Sequence, residues 1–185
     1  MRGANGTPVI ETARLELFQP QASDIDGIFM IMARPETRRH LGPTDASMAD
    51  SFARLLRNGG SWSFYGYGSF IVRLKGQQGI LGTCGIFRSY RGFGTDMDDK
   101  GMDDVPEAGW IINPDHWGKG YAREAMDAAL AWFDAEHGPV RATCIIEEGH
   151  TVSERLAEAL GFAAYDRHEP DDEPSPLVLY ERLPK

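Results

Sequence analysis

EAGWIINPDHWGKGYAREA, residues 107–125, joins an apolar strand to a glycine-rich turn and then to an amphipathic helix. Trp110, Ile111 and Ile112 supply the aromatic and β-branched run, and Asn113-Pro114 stops it, since proline has no amide hydrogen for the ladder. Gly118, Lys119, Gly120, Tyr121 and Ala122 then open a helix whose first amides lack intrahelical partners and lie at the positive end of the macrodipole. A phosphate fits there. Ala122, Ala125, Met126, Ala129, Leu130 and Phe133 recur on one helical face, with Arg123, Glu124, Asp127 and Asp134 opposite. The spacing predicts a helix over about 118–137, stopped by Gly138-Pro139. Val140–Ile146 follows as a second strand. Strand, phosphate loop, helix, strand implies neighbouring, parallel strands.

Two nucleotide-binding patterns fail on this segment. The dinucleotide fingerprint needs Gly or Ala where Arg123 stands, and the Walker pattern is absent. Three blocks instead resemble, in order, the GNAT N-acetyltransferase superfamily, and within it the ribosomal-protein N-terminal acetyltransferase group. They are TARLELFQP (Thr12–Pro20), the central block, and HTVSERLAEALGF (His150–Phe162). The resemblance implies an α/β domain with a mixed, largely antiparallel sheet, a splayed parallel strand pair and flanking helices. It implies acetyl-CoA as co-substrate, its pyrophosphate held by the amides of Trp117, Gly118, Lys119, Gly120, Tyr121 and Ala122. The strand Trp110–Asn113 would pair with the pantetheine arm. Ser153 matches the family's serine, a donor to the departing thiolate, and Arg155 occupies a position near the cofactor. His150 departs from the family, which usually has Asn there, and leaves that side-chain contact open. Lys119 and Arg123 either face phosphate or are solvated helix residues.

At 185 residues, with 42% hydrophobic and 25% charged residues, the chain fits one domain with its own core. We read residues 1–11 as a loose tail without the apolar stretch of a signal peptide, and 12–185 as one acetyltransferase-like domain. No apolar run reaches the roughly eighteen residues of a membrane span. Cys84 and Cys144 sit in apolar runs, as small buried hydrophobes do in a reducing cytoplasm. A net charge of −9 argues against nucleic acid and towards a cationic partner. Phosphate binding must then be local, through Lys119, Arg123 and Arg155. Monomer and homodimer both remain open.

Around the central unit, Arg14–Phe18 reads as a half-buried strand. A helix follows that Ser23 would cap and Pro35 would end, with Ile25, Ile28, Phe29 and Met32 on its apolar face. A further helix over 45–57 would turn Met48, Phe52, Leu55 and Leu56 inward and stop at Gly59-Gly60. Ser69–Leu74 and Ile80–Tyr90 form a hairpin. Residues 91–105 make a long acidic loop that nearly matches a calcium loop, with Lys100 at a ligand position. We read it as a flap whose Asp96, Asp98, Asp99, Asp103 and Asp104 guide an amine and hold no metal. Thr151–Leu160 reads as a helix capped by Gly161, and Phe162–Arg167 with Leu177–Arg182 as a closing strand pair.

Acetyl transfer needs an unprotonated amine, yet amines are mostly protonated near neutral pH. Glu107, three residues before Trp110, is the first candidate base, with His116 and His150 as alternatives. An amide near Ile111 or Ile112 would donate to the oxyanion. Trp62, Phe64, Tyr65 and Tyr67 belong either to the acceptor pocket or to the core. The reading is an N-acetyltransferase working by direct attack in a ternary complex. Fold and cofactor binding do not establish turnover, so a coenzyme-binding sensor module is the rival.

Overall fold

The computed structural model describes residues 6–41, 46–91, 101–169 and 175–184. Eight strands form one sheet: β1 (Ile10–Glu11), β2 (Leu15–Phe18), β3 (Ser69–Leu74), β4 (Ile80–Ser89), β5 (Val105–Ile112), β6 (Ala142–Glu147), β7 (Ala163–His168) and β8 (Leu177–Arg182). Their order is β1-β2-β3-β4-β5-β6-β8-β7, and every pairing is antiparallel except β5 with β6. That parallel pair meets at one register, Glu107 opposite Thr143. Beyond it the strands separate towards their C-terminal ends, and the mixed, splayed sheet is the expected one.

Strand alternation gives the two faces of β5 different neighbours. Ala108, Trp110 and Ile112 pack with Ala125, Met126 and Ala129 of the long helix α4 (Tyr121–His137). Ile111 packs on the other face with Ile28, Leu55 and Ile71, under α1 (Ile25–Met32) and α3 (Met48–Tyr65). Glu107 and Gly109 share Ile111's parity and so its face. A short helix α2 (Pro35–Arg38) links α1 to α3, and α5 (Thr151–Ala159) follows β6. Both helices of the central and late blocks form as the periodicity predicts. Among the described residues no helix is long and apolar enough to cross a membrane.

Several expectations are corrected. The tail is shorter than 1–11, because Ile10 and Glu11 pair with Leu17 and Glu16 as the edge hairpin of the sheet. Ser23 does not cap α1. The chain enters through a 3-10 turn in which the amide of Gln21 donates to Asp24 at 2.7 Å, while the same buried carboxylate accepts from Arg73 at 2.7 Å. The α3 helix runs through Gly59-Gly60 and ends at Gly66, which takes the left-handed cap conformation at φ 77°. Tertiary packing overrides the low helical propensity of the two glycines. Of the four α3 residues expected inside, only Leu55 is buried; Met48, Phe52 and Leu56 are exposed. Trp62 and Tyr67 join the core with Phe70 and Phe133, and Phe64 projects into solvent, so this aromatic group does not line an acceptor pocket.

Gly82 lets β4 and β5 approach beside the splay. A Cβ there would stand 2.2 Å from the carbonyl oxygen of Ile111, a backbone atom that moves only if the strands part. We predict that Gly82→Ala destabilises the fold by about 1–3 kcal/mol through overpacking. Chemical denaturation of the two proteins measures it, and an unchanged midpoint would refute it.

Candidate active site

The splay of β5 from β6 opens a cleft of about 730 Å³ that passes between the two faces of the sheet. The amide of Asn113 donates to Leu81 on β4 at 2.8 Å. Antiparallel alternation then turns the Ile111 amide towards β4 as well, and those of Trp110 and Ile112 towards the open side. The expected oxyanion donor therefore narrows: the Ile111 amide points away from the cleft. The Trp117 indole donates to the carbonyl of Ile112 at 2.6 Å, which fixes the loop against the end of the strand.

Gly118 and Gly120 adopt φ values of 72° and 77°, which residues with a Cβ rarely take. Open space lies where a side chain of Gly118 would project. The first intrahelical bond of α4 is Glu124 N–H to Gly120 O, so the amides of Tyr121, Ala122 and Arg123 point out of the helix end. This cradle is clamped from the N-terminal strand. Arg14 donates to the carboxylate of Glu124 at 2.6 Å and to the carbonyl of Lys119 at 2.9 Å, and its guanidinium lies 4.5 Å from the centre of the Tyr121 ring. Thr12 completes the clamp with a 2.6 Å bond to Glu124. Burial pushes the Glu124 carboxyl up, but bonds from Thr12 and Arg14 outweigh it and hold the group below its ordinary range.

On the far arm, α5 brings Ser153 to the cleft, where its hydroxyl accepts from the Trp110 indole at 3.3 Å. His150 begins that helix and stacks on His40, ring centres 3.9 Å apart. His40 is bonded in turn to Glu147 at the end of β6, and all three line the cleft. Burial, then the neighbouring His40, pushes the His150 pKa down. On the floor, Glu107 is 2% exposed. Arg91 grips both its oxygens, Nε at 2.8 Å and Nη2 on the other oxygen, and Ser89 donates at 2.8 Å.

Trp110, Ile111, Ile112, Trp117, Gly118, Gly120, Tyr121, Ala122, Arg123, His150, Ser153 and Glu107 thus line one cleft. Asn113, Lys119 and Arg155 do not. The Asn113 side chain accepts from the Asp115 amide, the Lys119 ammonium bonds the Asp115 carbonyl at 3.2 Å, and Arg155 is exposed on the outer side of α5. His116 lines the cleft and buries its Nδ1 without a partner. Cys84 and Cys144 are buried, and burial pushes both thiols up, as inert core cysteines require. Asp96, Asp98 and Asp99 lie outside the described residues. Asp104 pairs with Arg88 at 2.7 Å and Asp103 accepts from the Arg91 amide, so these two bind the chain's own arginines. No metal-binding cluster exists among the described residues. Sequence reasoning missed His40, Arg54, Arg91 and Arg14, which reach the site from other elements and carry no local motif.

The acetyltransferase (GNAT) domain model matches residues 14–163. The chain belongs to the GNAT acetyltransferase family. A putative GNAT-family acetyltransferase from Bordetella pertussis superposes with a TM-score of 0.80 at 31% identity, covering 94% of this chain and 98% of that one. The uncharacterized N-acetyltransferase p20 of Bacillus licheniformis is 25% identical over 155 residues, 82% of this chain and 80% of that protein. The ribosomal-protein-S5-alanine acetyltransferase from Vibrio fischeri shares the fold, with a TM-score of 0.72, 17% identity and coverage of 95% and 96%. The protein is an acetyl-CoA-dependent acetyltransferase. The glycine cradle, with its outward amides and open space at Gly118, fits the pyrophosphate of that co-substrate.

Two outcomes follow from this geometry. Arg14→Ala removes the clamp at once from Glu124, Lys119 and Tyr121, and we predict a rise of about tenfold in the Kd for coenzyme A, read by calorimetry; an unaltered Kd would show that the cradle holds its own shape. For His150 the folded value is depressed below the unfolded 6.5, so the unfolded chain takes the proton more readily. Its stabilisation is complete above that value and is lost as pH falls through the folded one. His150→Asn should therefore lower the Tm loss between about pH 7.5 and about pH 5.5. Parallel Tm curves for the two proteins would contradict it.

Proposed function

We propose that this acetyltransferase moves the acetyl group to a primary amine by direct attack in a ternary complex, the amine entering from the α1/α3 face and the coenzyme from the α4 face. The observation that carries this reading is the single-register splay of β5 from β6, which opens one passage between the anion cradle and Glu107. Acetyl-CoA supplies an activated thioester. The amides of Trp117 to Ala122 receive its pyrophosphate, with Arg123 beside them. The Trp110 and Ile112 amides, free on the open side of β5, hydrogen-bond the pantetheine and polarise the acyl oxygen. Ser153 donates its hydroxyl proton's hydrogen bond to the departing sulfur, and the Trp110 indole holds that hydroxyl in place.

Glu107 is the proposed partner of the amine. A carboxylate offers about four acceptor sites. Arg91 and Ser89 take three of them, which leaves one for the acceptor's ammonium. Because Glu107 is so fully bonded, a second reading gives the proton itself to His150, whose ring burial keeps neutral. The acceptor class is a protein N-terminus or a small amine, cationic when protonated; the S5-alanine relative makes the N-terminal peptide the first to try. The N-terminal hairpin and the rest of the chain act as one domain in this reading, and the enzyme works in the cytoplasm as a monomer or homodimer.

Thiol release against a panel of small amines and N-terminal peptides tests the assignment. Glu107→Gln should lower kcat by about 10²-fold and Ser153→Ala by roughly tenfold, each with coenzyme binding retained. If the acidic limb of the pH–rate profile survives in Glu107→Gln and vanishes in His150→Asn, the proton goes to the histidine. A protein whose thermal midpoint ignores saturating acetyl-CoA would sink the whole proposal, since a ligand selective for the folded state must stabilise it.

A further inference from the structure

On the side of the cleft away from the anion cradle lies a cation with no acidic partner among the described residues. Arg54, on α3, lines the cleft with Thr37, His40 and Phe87. The other cleft arginines are paired, Arg91 with Glu107 and Arg123 with Asp127. Among the described residues Arg54 makes no ion pair, although it is partly withdrawn from water. Arg57 and Arg38 lie close enough to oppose its charge, and Asp50 is only a weaker counterweight. Isolated desolvated cations cost free energy unless something anionic completes them.

A second observation comes from α2. Thr37 is 6% exposed, lines the same cleft, and buries its hydroxyl oxygen without a hydrogen-bond partner. Buried hydroxyls are nearly always satisfied, so an orphan one on a residue that lines a cleft is a group that a ligand atom can complete once the side chain turns towards it. A guanidinium and a hydroxyl together match a carboxylate, which accepts from both. Arg38 and Arg39, with Ala33, Pro35 and Ala46, line a second, shallow pocket, and Glu36, which lines the cleft beside Thr37, is bonded to Arg34.

We propose that the acceptor carries a carboxylate beside its amine, received by the Arg54 guanidinium and the Thr37 hydroxyl. This rests on the transfer reading above and names its substrate class. The ammonium goes to Glu107 and the carboxylate to Arg54, so the two charges of one acceptor are read by opposite charges on the same face of the sheet. The carboxylate has two possible sources, a free amino acid or a peptide whose first residue is Asp or Glu.

Matched acid and amide acceptors test it. Alanine against alaninamide probes the free amino acid, and amidated peptides beginning Asp-Ala against Asn-Ala probe the side chain of a first residue. Thiol release gives KM, and calorimetry with coenzyme A present gives binding where turnover is slow. The acid member of one pair should have a KM at least about tenfold lower, as a charge-assisted bond is worth that much. Arg54→Gln should bring acid and amide to the same KM, Arg54→Lys should restore part of the difference, and Thr37→Val should reduce it. Equal values for acid and amide in both pairs, a preference that survives Arg54→Gln, or no binding of any acceptor by a protein that acetyl-CoA does stabilise would each overturn the proposal and leave acetyl transfer standing. Failure to bind acetyl-CoA would bring down both.

Discussion

Backbone hydrogen bonds that β5 does not make to β6 decide what this molecule can do. Sheet strands normally pair along their length because an unpaired buried amide is expensive. Here the pair closes at Glu107 and Thr143 and then opens, leaving the outward amides of Trp110 and Ile112 for another partner. Such an edge inside a sheet is stable only if both arms are held independently. The β4 ladder holds one arm through eight consecutive register pairs, and the β8 ladder holds the other through six. The cleft is thus a property of topology, and the side chains decorate it.

Charge is arranged around that opening with little left unpaired. Arg14 serves Glu124, Arg34 serves Asp115, Arg88 serves Asp104, and Arg91 serves Glu107. Each of these pairs joins different elements or loops, and the exposed ones contribute little stability on their own. Their value is positional: they hold loop, strand and helix in one geometry. Within the cleft, where Arg91 and Arg123 are paired, Arg54 and the orphan hydroxyl of Thr37 are informative.

The chain from residue 105 onward was largely legible in its sequence. Its elements announce themselves through strong local signals: the β-branched run at Trp110–Ile112, the glycines at 118 and 120, and the three–four spacing from Ala122 to Phe133. The early helices were not. Gly59-Gly60 reads as a stop by propensity, yet packing carries α3 past it, and Met48, Phe52 and Leu56 read as a core face while facing solvent. The same limit applies to the site. Glu107 and Trp110 could be named from their place on the central strand and Ser153 from the family resemblance, whereas His40, Arg54 and Arg91 enter through contacts between elements that no local pattern encodes. The side chains of Lys119, Asn113 and Arg155 do not line the cleft for the complementary reason: adjacency in sequence to a loop does not aim a side chain into it.

The one-register junction also has a mechanical meaning. It divides the sheet into a five-stranded and a three-stranded half, and α4 packs on the former while its C-terminal end leads into the latter. One apolar core nevertheless runs through both halves, from Leu15 and Phe70 to Cys144 and Tyr180, and holds them together where the ladder does not. A ligand lying along β5 and reaching Ser153 would bridge the seam. Such a ligand would supply across the seam the partners that the β5–β6 ladder leaves out, so that binding and the completion of the sheet would be one event.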